Sequence, residues 1–333
     1  MTKTATVALV GSETLLGREV RDLASDQDAF SLRLLAADDE QAGTLARVGD
    51  EPAIVEELKA DSFEGAQAVA LAGSAESGKR GLELAEEAGI AVVDLTGIAE
   101  GVTDARLRAP LVEEEQPEAD TRIHVIAHPA AVALALFLRR LHAHEPVSRA
   151  IAQIFAPASE HGRQGVEELQ GQTVNLLSFK PLPQKIFDTQ AGFNMLARYG
   201  SEAPQSLEGA ELRIERHLAA LLALEGDGEG APLPSLRLIQ APVFHGYSMS
   251  VWVEFESLPE VETLESSLRS PEIDVRGADL EPPTNVGQAG QGGISVGAIE
   301  PDRNSADACW FWLVADNLRL TAENAVAVMR QLI

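Results

Sequence analysis

At 333 residues, 45% of them hydrophobic, the chain can bury a sizeable core, and its length suits two domains rather than one. Its 26 Lys and Arg against 52 Asp and Glu give a net charge of -26, which argues against nucleic acid or an acidic membrane face as a partner. Cys309 is the only cysteine, so an intrachain disulfide and a thiolate-rich metal site are excluded, and no metal is expected.

Met1 to Gly11 carries one lysine and no small-residue cleavage site, so no secretory signal is expected. Thr4 to Val10 reads as a first strand, followed by Gly11-Ser12-Glu13-Thr14-Leu15-Leu16-Gly17 and a helical pattern through Leu23. A glycine turn between first strand and first helix lets bare backbone amides approach a pyrophosphate. The full fingerprint needs a glycine near the middle of that turn, where Thr14 stands. Gly11, Ser12, Thr14, Leu15 and Gly17 are therefore candidate contacts for a weakly held dinucleotide. Leu32 to Ala36 is a second strand, and Asp38-Asp39-Glu40 follows it. Acids at this place suit a free ribose hydroxyl, with Asp38 the candidate for NAD, and disfavour NADP. Ala68 to Ala72, Ala91 to Leu95 and Ile123 to Ala127 supply further strands, with a helix from Glu76 to Ala88. Strands alternating with helices predict a Rossmann-like, doubly wound parallel sheet. Gly73, beside the third strand, joins the candidate cofactor contacts.

The stretch Arg122 to Leu141 organises the chain: a short strand, a turn at His128-Pro129, and an apolar helix ending in Arg139-Arg140. Pro129 is tolerated beside a first helical turn, where its missing N–H has no partner to lose. This places a helix N-terminus at the carboxyl edge of a sheet, where an enzyme would set a nucleophile. The side chains there are Ala130, Ala131, Val132 and Ala133. The longest apolar run, Val125 to Leu138, is too short to span a bilayer, and a cytoplasmic location is expected.

From Ala150 the pattern changes. Ile151 to Phe155 reads as a strand, Gln164 to Leu177 as a helix, and Leu212 to Leu224 as an amphipathic helix containing His217. Leu236 to Ala241 and Tyr247 to Glu256 read as strands, the second with Met249, Val251, Val253 and Phe255 on a buried side and Ser250, Trp252, Glu254 and Glu256 opposite. Gly226 to Pro234 and Glu281 to Gly293 read as loops. Cys309 lies in an apolar strand, where a thiol is inert packing. The closing helix, Thr321 to Leu332, is expected to return to the first domain. The class predicted is thus α/β: a parallel Rossmann-like domain, residues 1–129 with the helix 316–333, and an α+β dimerisation domain with a mixed sheet, residues 130–315.

Six segments occur in the order of one family's motifs. VALVG has a later Gly17; VIAHPAA stands for a turn of the type ANPNCS; ASEHGRQGVEEL for SGAGxxGxEEL; Gly192-Phe193-Asn194 for AFN; APVFHGYSMSVWVE for RVPVxxGHSxxVxxE; and WLVADNLR…ENAV for DNLR…NAV. On these motifs the chain resembles the aspartate-semialdehyde dehydrogenase family, and among its members the divergent Usg-type homologues. The resemblance implies an NADPH-dependent interconversion of an acyl phosphate and an aldehyde through a cysteine thioester, which needs a thiolate, a base and cationic substrate binders.

Matched residue by residue, the cysteine falls on Ala131 and the histidine on Tyr247, a phenol with a reference pKa of about 10. The arginine opening RVPV falls on Gln240, a second arginine near Glu100, and a lysine on Glu211. His128 also belongs to the former substrate site, and Asn317 to the cofactor contacts. The expectation is a homodimeric pseudoenzyme without the family reaction, acting by binding a protein partner or a small ligand. The alternative is an NAD(P)-dependent oxidoreductase that treats an aldehyde or semialdehyde by a non-cysteine mechanism.

Overall fold

The computed structural model describes residues 5–25, 30–37, 40–113, 121–224 and 230–333, so Asp38 and residues 226–229 of an expected loop lie outside the described residues. The chain divides into two compact units, residues 1–127 with 321–333, and residues 128–320.

The first unit runs β1 (Thr6–Val10), α1 (Leu15–Ser25), β2 (Ser31–Leu35), β3 (Leu45–Val48), β4 (Glu51–Ile54), β5 (Ala68–Leu71), α2 (Ala75–Ala88), β6 (Ala91–Asp94), β7 (Ala105–Arg108) and β8 (Ile123–Ile126). Six of these strands form one parallel sheet in the order β2-β1-β5-β6-β8-β7, the doubly wound arrangement predicted from the alternating pattern. Successive side chains of a strand point to opposite faces, and both faces are buried here. Val7 and Leu9 meet Val20 of α1 together with Ala325, Val328 and Met329 of the C-terminal helix. Ala8 and Val10 meet Val69, Leu71 and Ala85 of α2. The antiparallel pair β3–β4 and the edge strand β7 are absent from the sequence reading. Leu45 and Ile54 of that pair are 78% and 60% exposed, so no buried face imposes an alternating pattern to be read.

The second unit runs α3 (Pro129–His144), β9 (Val147–Ala156), α4 (Gly162–Leu177), α5 (Leu207–Leu222), β10 (Ser235–Gln240), β11 (Tyr247–Phe255), α6 (Val261–Leu268), β12 (Ile273–Val275), α7 (Asn285–Gln288), β13 (Ile294–Pro301), β14 (Ala308–Ala315) and the start of α8 (Asn317–Gln331). Its mixed sheet has the order β10-β9-β11-β14-β13-β12. On one face lies α3, whose Phe137 meets Phe311 of β14 edge to face at 5.0 Å. The guanidiniums at its end hold its neighbours: Arg139 donates to the carbonyls of Leu221 and Leu224 past α5, and Arg140 to those of Ser267 and Arg269 at the end of α6. Cations there satisfy carbonyls that a helix leaves unpaired.

On the other face Ile151, Trp252 and Trp310 stand side by side in register, with Trp312 two residues on. Trp252, expected on the side opposite the buried one, is not left open to solvent. It is buried, because its indole N–H and that of Trp310 both donate to one oxygen of Asp302, each at 2.8 Å, which folds the two rings over the sheet. Three further elements, α6, β12 and β13, went unread, and Glu281 to Gly293 contains the single turn α7. The helix predicted from Leu212 begins at Leu207, where Ser206 caps it by accepting the amide of Gly209.

Candidate functional site

The site is built at the start of α3. Pro129 takes the first helical position and His128 the cap, its Nδ1 accepting the amide of Ala130 at 3.2 Å. With Nδ1 an acceptor, Nε2 carries the proton and donates to Oε1 of Glu160 at 2.8 Å. The other oxygen of Glu160 accepts the hydroxyl of Tyr247 at 2.6 Å. The His128 and Tyr247 rings stand 6.0 Å apart with that carboxylate bridging them. Ala131, one helical turn into α3, is fully buried, and nothing on its side chain can attack a carbonyl.

The electrostatics follow from this contact. Burial pushes the Tyr247 phenol well above its ordinary range, and the Glu160 charge and hydrogen bond push it further. It is therefore no base near neutrality. Burial would raise Glu160, but His128 and the Tyr247 hydroxyl bonded to it outweigh burial and hold the carboxyl down to about 2. The ion stays charged and doubly bonded, with no proton to give.

Gln240 closes β10 beside this cluster, fully buried and fully bonded. Its Nε2 donates to the carbonyls of Ala156 and Ala241, and its Oε1 accepts the Tyr199 hydroxyl at 2.7 Å. His161 Nε2 lies 2.9 Å from the same hydroxyl, so the chain of donors runs His161, Tyr199, Gln240. Burial lowers His161, and the nearby Glu160 and Glu168 charges only partly offset it, which keeps the imidazole neutral. Burial, with help from the Glu160 charge, pushes Tyr199 well above the ordinary phenol range, and this hydroxyl too keeps its proton near neutrality.

Glu160, followed in the chain by His161, is the side chain the sequence reading passed over. The signal was present: the two stand where the SGAG pattern has its small Gly and Ala. Two bulky polar groups occupy the space that small residues leave open. Asn317 holds the two loops together, its Oδ1 accepting from the Ser159 hydroxyl and the Gly246 amide, both at 3.1 Å. Glu211 lies off to the side on α5, accepting the Leu238 amide at 2.7 Å and facing Arg237. His128, Tyr247 and Gln240 are thus brought together, while Glu211 serves the helix-to-strand packing. Glu100 sits in the first unit, in the turn after β6.

Cys309 is remote from this cluster. It pairs with Val253 while Tyr247 pairs with Ala315, six residues along the strand, or roughly 20 Å. Burial raises its thiol to about 12, so it is packing rather than a nucleophile. Two clefts lie elsewhere: one of about 740 Å³ beside Arg33, Val55 and Lys59, and one of about 450 Å³ beside Pro283 and Trp312. Among the described residues no three His, Cys, Asp or Glu gather to hold a metal, and no helix is long and apolar enough to cross a membrane.

The candidate cofactor contacts are in the first unit, Asn317 apart. Gly11 has φ +82°, and a Cβ there would come within 2.4 Å of Gly73 Cα. A Cβ on Gly17 would come within 2.0 Å of the Gly11 carbonyl oxygen. Thr14 caps α1, its Oγ1 accepting the Gly17 amide at 2.9 Å and lying 2.8 Å from Gly11 O and 2.9 Å from Ala72 O.

Residues 138–320 match the family described as semialdehyde dehydrogenase, dimerisation domain. The chain is 30% identical over 344 residues to a "USG-1 protein homolog" of Pseudomonas aeruginosa, covering 100% of this chain and 99% of that protein. It is 24% identical over 342 residues to an aspartate-semialdehyde dehydrogenase of Rickettsia bellii, covering 100% and 99%. A solved structure described as a probable aspartate-semialdehyde dehydrogenase from Pseudomonas aeruginosa superposes with a TM-score of 0.82 at 28% identity, over 99% of this chain and 98% of that one.

Proposed function

The chain belongs to the semialdehyde dehydrogenase family, and from that premise we propose that it keeps the family scaffold without the family reaction and acts by binding, as a homodimer. The observation that carries this reading is the Glu160 carboxylate seated between His128 and Tyr247, beside a fully buried Ala131. Thioester chemistry needs a thiolate, a free base and room for a substrate. Here the place of the thiol is a methyl group, the place of the base is a phenol bonded to a carboxylate, and the place of a cation is the neutral Gln240. Residues 130–315 would form the dimerisation part, with Ile151 and Trp310, 41% and 38% exposed on the open face of the mixed sheet, at its contact.

Purified protein mixed with aspartate semialdehyde, phosphate and NAD or NADP is expected to give no turnover above the blank. Turnover that disappears in Tyr247→Phe would overturn the reading. Ile151→Asp is expected to shift the protein from dimer to monomer in sedimentation, and an unchanged dimer would move the contact elsewhere. The oxidoreductase alternative is favoured by one observation, the intact close approach of Gly11 to Gly73, and it requires turnover of an aldehyde in the same assay.

A further inference from the structure

The β1–α1 turn faces the end of β2 at the point where the strand order of the first sheet reverses. Thr14 does not close this turn, because its hydroxyl is bonded inward to Gly11, Gly17 and Ala72. A carboxylate of the chain occupies it instead. Glu40, just beyond β2, accepts the Glu13 amide through Oε1 and the Ala37 amide through Oε2, each at 2.9 Å. One bond reaches the phosphate-type turn and the other the strand end, so the carboxylate is fixed between them. Arg18 and Arg21 are the cations of this turn, and both are paired with the Glu13 carboxylate. Ser12, fully buried in the same turn, keeps a hydroxyl for which the described residues supply no partner.

We propose that this turn binds an adenine dinucleotide whose ribose carries a free 2′,3′-diol and rejects the 2′-phosphorylated form, with Glu40 as the discriminating side chain. A carboxylate at the end of the second strand accepts hydrogen bonds from a ribose diol. A 2′-phosphate at the same place brings close to two negative charges against Glu40, with Arg18 and Arg21 already held by Glu13. The NADPH that the family resemblance implies therefore does not fit these residues. Glu40, 23 positions after Gly17, is the acid that the fold delivers to the turn.

The test is calorimetric titration of the full-length protein with NAD+ and with NADP+. NAD+ is expected to bind tighter by about tenfold or more, since like charges brought together suppress the wrong ligand. Glu40→Gln removes the charge and keeps an oxygen for one of the two amides, and it is expected to narrow the ratio to within about threefold. Should that variant fold poorly, raising the salt concentration on the native protein must narrow the same ratio by weakening NADP+ exclusion. Equal or tighter NADP+ binding, binding of neither ligand, or a ratio indifferent to both Glu40→Gln and salt would overturn the proposal. None of these results bears on turnover at Ala131 and Tyr247, so this site and that one stand or fall separately.

Discussion

The Tyr247 hydroxyl donates to Glu160 Oε2 at 2.6 Å, and this one contact turns two reactive group types into structure. Hydrogen bonds to a charged acceptor contribute about 2 kcal/mol, and removing the donor leaves a part-buried carboxylate oxygen short of a partner. Tyr247→Phe is therefore expected to destabilise the second unit by about 2 kcal/mol. Urea unfolding of the variant beside the parent measures it, and an unchanged midpoint would show that the contact contributes nothing.

Restoring the sulfur alone should restore no chemistry. Ala131 is fully buried among α3 neighbours, so Ala131→Cys adds an atom to a packed site at a cost of about 1 kcal/mol and leaves Glu160 in the way. The new thiol is expected to react with a disulfide reagent only after unfolding, with no semialdehyde oxidation detectable. Rapid labelling of the folded variant would mean that the cleft is open.

Two groups should give stability a stepped dependence on acidity. His124, 2% exposed, is held down to about 4 by burial and then by the Arg108 charge beside it. Below its ordinary 6.5 the unfolded chain takes a proton that folded His124 refuses until about 4, so stability falls as pH drops through that window. Glu160, with a folded value of about 2 against an ordinary 4.5, contributes fully above 4.5 and loses its contribution between the two. Each step is on the order of 3 kcal/mol at most. His124→Gln should flatten the upper window and Glu160→Gln the lower, read as urea midpoints near pH 7, 5 and 3. Parallel curves for variants and parent would refute the assignment.

Glu168 fixes the loop after α4. Its carboxylate accepts the amides of Lys185, Ile186 and Phe187 at 2.6 to 3.1 Å, and Gln172, one turn on, accepts those of Ala191 and Gly192. Glu168→Ala leaves three amides without their acceptor and is expected to cost about 2 to 3 kcal/mol. Limited proteolysis should then cut first between residues 183 and 192, whereas cleavage elsewhere would show that the loop is held by other contacts.

The parallel strands were legible because burial on both faces makes them continuous apolar runs, as in Val7 to Val10 and Ala68 to Leu71. The β3–β4 pair was not, since Leu45 and Ile54 lie in solvent and no face imposes a period. Ala131 and Tyr247 were found by position in a motif, but Glu160 escaped because a polar residue in a loop looks like surface until its two partners are known. Thr14 illustrates the opposite limit. As a letter it breaks a glycine fingerprint, while in space it is a helix cap whose hydroxyl accepts the Gly17 amide and donates back toward the Gly11 and Ala72 carbonyls. Glu40 was one acid in a run of three by sequence, and only the fold shows its carboxylate reaching the Glu13 amide.

Trp252, Trp310, Trp312, Tyr199 and Tyr247, all the tryptophans and tyrosines of the chain, belong to residues 128–320. Ultraviolet emission and near-ultraviolet dichroism are consequently blind to the first unit, apart from its phenylalanines. Acid loosening around His124 should pass unseen in the fluorescence and register only in the far-ultraviolet, whereas loss of the Glu160 contact should quench or shift the indole signal. The protein carries its own optical label on one half, and the two halves can be melted and watched separately without adding a probe.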